Sequence, residues 1–221
     1  MMPSLTPLVG LGASGHAKVI IDILRLAGGY EFVGLLTPER DLWGTRLLGV
    51  PVIGDDDRLP ELIEEGISHG FVGVGMVGNA SLRIHLYLKL REFGFQIVPA
   101  IHPSSIISDS ANIGRAPMIG PGAIVNAAAR VGDNVLINSG AIVEHDCEVG
   151  DHVHIASGAQ LAGAVWVGDE CMIGMGACIR ERVSIGRKSI VGAGAVVVKD
   201  VPDGVVVAGV PARITRSLDG T

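Results

Sequence analysis

Seventeen aliphatic residues recur at a spacing of six along the second half of the chain, from Ile101, Ile107 and Ile113 without interruption to Val191 and Val197. Four residues after most of them stands a small side chain, as at Ala123, Ala129, Ala141, Cys147, Ala159 and Cys171, and Gly often follows directly, as at Gly114, Gly132 and Gly168. One large and one small apolar position every six residues is the pattern of a parallel β-helix. Each hexad supplies a short strand and a tight turn, with the aliphatic side chain pointing into a narrow prism. Three hexads close one triangular coil, so the run from Ile107 to Val197 predicts about five coils stacked at about 4.8 Å, the ordinary strand spacing. Gly and Asn at the corners supply the positive φ that such frequent turns require.

The chain has 221 residues, 48% of them apolar, a length that suits two small domains, with a boundary expected at 1–100 and 101–221. A net charge of −6 and the lack of any basic run argue against a nucleic-acid partner. No stretch of eighteen apolar residues occurs and the start of the chain does not resemble a leader, so a soluble cytoplasmic protein without membrane insertion is expected. Cys147 and Cys171 occupy the small inward slot of their hexads and Cys178 lies beside an aliphatic position. All three read as structural thiols rather than nucleophiles or metal ligands.

The first half alternates differently. A short apolar strand over 7–12 runs into Gly10-Leu11-Gly12-Ala13-Ser14-Gly15 and then an amphipathic stretch from His16 to Leu26. Strand, glycine turn and helix is the geometry in which a helix N-terminus receives a phosphate. Further strands are expected over 32–36 and 70–75, a short extended segment over 50–53, and helices over 59–66 and 80–93. The result is a small, doubly wound, Rossmann-like α/β domain of about three main strands. A nicotinamide site would need an acidic residue at the end of the second strand. Leu35-Leu36-Thr37-Pro38 stands there, with Glu39 slightly later, which disfavours NAD and favours a nucleotide or nucleotide-sugar phosphate.

In a β-helix, hexad positions that do not point inward are free for chemistry. The densest polar cluster among them is Glu144-His145-Asp146, followed by Asp151-His152-Val153-His154, with Asn138 one hexad earlier. An imidazole beside a carboxylate suits a general base, because imidazole titrates near neutrality and the carboxylate favours the imidazolium that forms.

Five stretches together resemble the sugar acyltransferases that include bacterial nucleotide-aminosugar N-acetyltransferases, perosamine N-acetyltransferases and the sialic acid O-acetyltransferase group. They are GASGHAK from Gly12 to Lys18, GVPVIGD from Gly49 to Asp55, AIHP from Ala100 to Pro103, NSGAIVEHDC from Asn138 to Cys147, and AGVPA from Ala208 to Ala212. The resemblance implies a left-handed coil, a homotrimer, and acetyl-CoA as co-substrate in a groove between neighbouring chains. It makes His145 the base and Asp146 the residue that increases its basicity. It places His154, Gly163, Met175 and Ala193 along acetyl-CoA, the last three through backbone atoms. The turn of Gly12, Ser14, Gly15 and His16, with Asn138, would hold the nucleotide-linked sugar. The expected activity is N-acetylation of a UDP- or GDP-linked 4-amino-4,6-dideoxy sugar in bacterial glycan biosynthesis, by direct transfer and without a metal. The competing readings are a sialic acid or other sugar O-acetyltransferase, a non-catalytic trimeric scaffold, and a zinc site built from His145, His152 and His154.

Overall fold

The computed structural model describes residues 5–218, which divide into two compact units. One comprises the chain up to Gly75 together with Ser81–Pro103; the other comprises Met76–Ala80 and everything from Ser104 onward. The pentapeptide 76–80 thus clusters with the coils although it lies deep in the first half of the sequence.

The first unit is a twisted sheet with helices. Strand β1 (Thr6–Leu11) pairs in parallel with β2 (Tyr30–Leu36) on one side and β5 (His69–Val72) on the other. Strands β4 (Val50–Gly54) and β6 (Gln96–Ile97) extend these two sides in parallel, and β3 (Arg46–Leu47) closes one edge antiparallel to β4. The order is therefore β3-β4-β2-β1-β5-β6. That is more than the three main strands expected, because β3 and β6 are two residues long and leave no periodicity to read. Central β1 is covered on both faces, hence its unbroken apolar run, with Leu8, Val9 and Leu11 at most 1% exposed. Helix α1 (Gly15–Ala27) buries Ala17, Ile20, Ile21 and Leu24, an i, i+3, i+4, i+7 face. It ends where Gly28, at φ 74°, donates its N–H to the Leu24 carbonyl at 3.0 Å. Helices α2 (Leu59–Glu64) and α3 (Ser81–Glu92) complete the unit.

The second unit is the parallel β-helix that the hexads require. Residues eighteen apart are strand partners, as in Ile124↔Ile142 and Val125↔Val143. Three flat faces result. The first carries strands beginning at Met118, Leu136, His154, Met172 and Ile190; the second at Ile106, Ile124, Ile142, Gln160, Cys178 and Val196; the third at Asn112, Arg130, Glu148, Trp166 and Ser184. The inward residues from Ile119 to Val197 form the core, each at most 4% exposed, and the small slots from Ala123 to Ala195 are sealed completely. Each buried Val or Ile contributes about 1.5–3 kcal/mol relative to exposure. Cys147 and Cys171 fill two of those slots.

Every sixth residue from Ala116 to Gly194 has a positive φ. At two of the three corners this conformation is held by Ala, Asn, Asp, His, Glu, Arg or Lys. At the corner between the first and second faces it is held only by glycine: Gly122, Gly140, Gly158, Gly176 and Gly194. At the corner between the third and first faces, stacked carboxylates tie one coil to the next. Asp133 Oδ1 accepts the Arg115 N–H at 2.7 Å, Asp151 Oδ1 that of Asp133 at 2.7 Å, and Asp169 Oδ1 that of Asp151 at 3.0 Å.

Candidate active site

His145 and Asp146 occupy a corner between the second and third faces. Asp146 sits at φ 59°, in the left-handed region that short polar side chains enter more readily than most. From there its carboxylate reaches back to the preceding ring: His145 Nδ1–H donates to Asp146 Oδ2 at 2.8 Å. A carboxylate only accepts, so Nδ1 carries the proton and the neutral ring keeps its lone pair on Nε2. Both side chains are more than 60% exposed within the single chain. Next to them, Glu144 accepts from Asn126 Nδ2 at 2.9 Å.

The remaining polar cluster separates in space. Asp151 caps the neighbouring coil, and His152 Nδ1 lies 3.0 Å from Asn134 Nδ2 at a different corner. His154 lies on the first face, 7% exposed, where its Nδ1–H donates to the Met76 carbonyl at 2.8 Å. Met175 and Ala193, eighteen residues apart, stack at the glycine corner, where Met175 is 62% exposed and its carbonyl accepts from Gly194 N–H at 2.8 Å. Gly163 lies one coil on from His145, at the same corner. Asn138 belongs to the coil as well, and its Oδ1 accepts the Ser139 N–H at 2.8 Å. Among the described residues, no three His, Cys, Asp or Glu side chains gather as metal ligands. Burial pushes the Cys147 thiol up to about 11 and the Cys171 thiol up to about 12, so neither forms a thiolate nucleophile near neutrality.

In the first unit a cavity of about 450 Å³ opens at the carboxyl ends of β1, β2 and β5, and the strand order reverses between β1 and β5. That is where open α/β sheets take ligands. Gly12 and Ser14 line it together with Thr37, Glu39, Asp56 and His85. Gly12 has φ 107°, and a Cβ there would stand 2.7 Å from Val74 Cγ2; only glycine fits. Ser14 is the N-cap of α1, yet its side chain makes no capping bond. Gly15 and His16, grouped with them on the sequence, are not among the lining residues; the His16 ring instead lies about 3.5 Å from where a Gly75 Cβ would be. Asp56 and His85 escaped the sequence reading. Leu82, His85 and Leu86 share one face of α3 at helical spacing, and Asp56 is oriented by Lys89, 2.6 Å away. At the carboxyl end of β5, Arg83 Nη1 donates to the Val72 and Val74 carbonyls at 3.1 and 2.7 Å, and desolvation holds its pKa down at about 9.

Known proteins share both units. Residues 8–90 match the PglD N-terminal domain family, and residues 128–163 and 164–199 match the bacterial transferase hexapeptide (six repeats) family. Among curated proteins no match is found. Among solved structures, a histidine-to-asparagine variant of perosamine N-acetyltransferase from Caulobacter crescentus, in complex with CoA and GDP-perosamine, is 41% identical. The alignment covers 97% of this chain and 99% of that one, with a TM-score of 0.89. The acetyltransferase domain of PglB from Neisseria gonorrhoeae, in complex with acetyl coenzyme A, is 36% identical over 96% and 100% of the two chains, with a TM-score of 0.87. WeeI from Acinetobacter baumannii is 32% identical over 95% and 100%, with a TM-score of 0.82. The chain belongs to this family of hexapeptide-repeat sugar acyltransferases with a PglD-type N-terminal domain.

Proposed function

We propose that this protein transfers the acetyl group of acetyl-CoA to the free amine of a nucleotide-linked 4-amino-4,6-dideoxy sugar, with His145 as general base. The observation that carries the reading is the His145–Asp146 pair, whose geometry leaves a lone pair on Nε2. The sugar amine attacks the thioester carbonyl as Nε2 takes its proton, and Asp146 accepts from Nδ1–H throughout. Collapse of the tetrahedral intermediate breaks the C–S bond, and the imidazolium returns the proton to the departing thiolate. The acetyl group never rests on the enzyme, in keeping with the buried, unionised thiols. Holding the two substrates together supplies much of the acceleration.

The nucleotide part belongs to the cavity of the first unit, with its diphosphate at the α1 N-terminus beside Ser14. Two carboxylates, Glu39 and Asp56, line that cavity. Guanine offers adjacent N–H donors that a carboxylate accepts, whereas uracil offers one N–H between two carbonyls. Together with the GDP-perosamine bound to the 41%-identical relative, this favours a GDP-linked acceptor.

Acetyl-CoA and a trimer go together in this reading. Within one chain, His145 and Gly163 lie at one edge of the second face and Met175 and Ala193 at the other. If three second faces surround a common axis, each edge meets the opposite edge of the neighbouring chain and the two sets converge in a shared groove. The second face suits this role because it projects Ile106, Ile124, Ile142 and Val196, whereas the third projects Asn112, Arg130 and Glu148. The deciding experiment offers GDP- and UDP-linked amino sugars and sialic acids with acetyl-CoA, and follows thiol release and product mass. N-acetylation of a nucleotide-linked amino sugar supports the reading. Rapid acetylation of sialic acid with no turnover of any amino sugar replaces it by O-acetyl transfer.

A further inference from the structure

Residues at the coil corners stack on their counterparts eighteen positions along, and His145 stacks on Gly163. The Ala164 N–H donates to the His145 carbonyl at 2.9 Å, which registers the two corners. A Cβ built on Gly163 would stand 2.7 Å from both Cε1 and Nε2 of the imidazole and 3.4 Å from Cδ2. The first two separations are closer than side-chain carbons approach other atoms. The backbone itself makes no such demand: Gly163 is not among the positive-φ residues, and Ala127 and Glu181 hold side chains in the same corner column. The imidazole is what excludes a side chain at 163, and it does so with its Nε2 edge, since Nδ1 is committed to Asp146.

We propose that Gly163 is a positioning residue for His145: by lacking a side chain it leaves the space in which the ring lies along the coil with Nδ1 on Asp146 and Nε2 available. The proposal rests on the assignment of His145 as base and is separate from any contact of the Gly163 backbone with acetyl-CoA. With a methyl group at 163 the ring must swing. His145 and Asp146 are both largely exposed, so the ring moves sooner than the packed corner, and the bond to Asp146 is lost. A displacement of about 1 Å at a reacting group can cost about 10² in rate.

The test is Gly163→Ala in the full-length protein. kcat should fall between about tenfold and hundredfold while KM for acetyl-CoA and for the sugar nucleotide changes less than about threefold. Asp146→Asn, which slows the wild type, should cost much less in the Gly163→Ala background, a coupling expected only if both changes break the same bond. Nitrogen NMR of the His145 ring, which needs no turnover, should show the Nδ1–H tautomer in the wild type and a mixture in the variant. If Gly163→Ala destabilises the chain, adding His145→Ala should restore the unfolding midpoint by removing the clash. A raised KM for acetyl-CoA with unchanged kcat and an unchanged tautomer would overturn the proposal, as would a midpoint that His145→Ala fails to restore. Near-normal turnover in His145→Ala alone would refute the base assignment instead, and the tautomer measurement would still report whether Gly163 orients the ring.

Discussion

His145 and His154 have equivalent side chains, yet their surroundings differ enough to separate their roles. His145 is exposed and tied to a carboxylate, whereas His154 is buried and tied to a main-chain carbonyl. Replacing His145 by Ala should lower kcat by about 10² to 10⁴, the usual share of a general base, and leave assembly intact; steady-state kinetics and light scattering check both. Asp146→Asn should lower kcat less, since the base remains. His154→Ala should act mainly on KM for acetyl-CoA, so a loss confined to kcat would transfer the role of base to it. The thiols allow a check without substrate. At neutral pH an alkylating reagent should leave Cys147 and Cys171 unmodified in the folded protein, because both are buried and their pKa values of about 11 and 12 keep them protonated. Peptide mass mapping should find them labelled only after unfolding.

Along the coil the inward positions from Ile119 to Val197 are buried on every face, whereas the outward positions range from buried to exposed, and this sets which substitutions matter. Ile155 is fully buried at an inward position, so Ile155→Ala should cost about 2–5 kcal/mol through lost burial and the cavity left behind. Ile106 is 63% exposed on the second face, and Ile106→Ala should alter stability of the isolated chain by no more than about 0.5 kcal/mol. Urea unfolding of the two variants measures the contrast; equal costs would mean that the hexad register is misassigned. This register was legible because the side-chain period of a strand, interrupted by a turn every six residues, leaves one inward aliphatic per hexad. The glycine turn before α1 was legible for a similar reason, since Gly12 takes a φ closed to most residues. Strands β3 and β6 were not, because two residues carry no period.

For the whole molecule the outstanding expectation is assembly. A trimer should have a mass of about 69 kDa, three times the 22.9 kDa chain, and light scattering on a chromatographic peak measures it. Ile142 lines a groove of about 380 Å³ on the second face with Gln160, Cys178 and Val196. Ile142→Arg should therefore dissociate the trimer and abolish acetyl transfer, while binding of the nucleotide sugar by the first unit persists. A monomeric Ile142→Arg variant with full activity would refute the shared groove. No helix among the described residues is long and apolar enough to cross a membrane.

The sequence alone determined the two-part architecture, the inward register of the coil and the polar character of the His145 corner, because each of these is a local consequence of spacing. What it could not determine was which distant residues meet. Glu144-His145-Asp146 and Asp151-His152-Val153-His154 read as one cluster, but a six-residue period turns the chain through a corner between them, so they face different directions. Gly12 and Gly15 read as one turn, but Gly12 lines the cavity while Gly15 begins the helix beside it. Asp56 joins that cavity through the pairing of β4 with β2 and His85 through the docking of α3, and although the eighteen-residue coil stacks Gly163 on His145, only the orientation of the ring shows that no side chain fits at 163. Spacing along a chain sets conformation, whereas proximity across eighteen or thirty residues arises only when strands pair and helices pack.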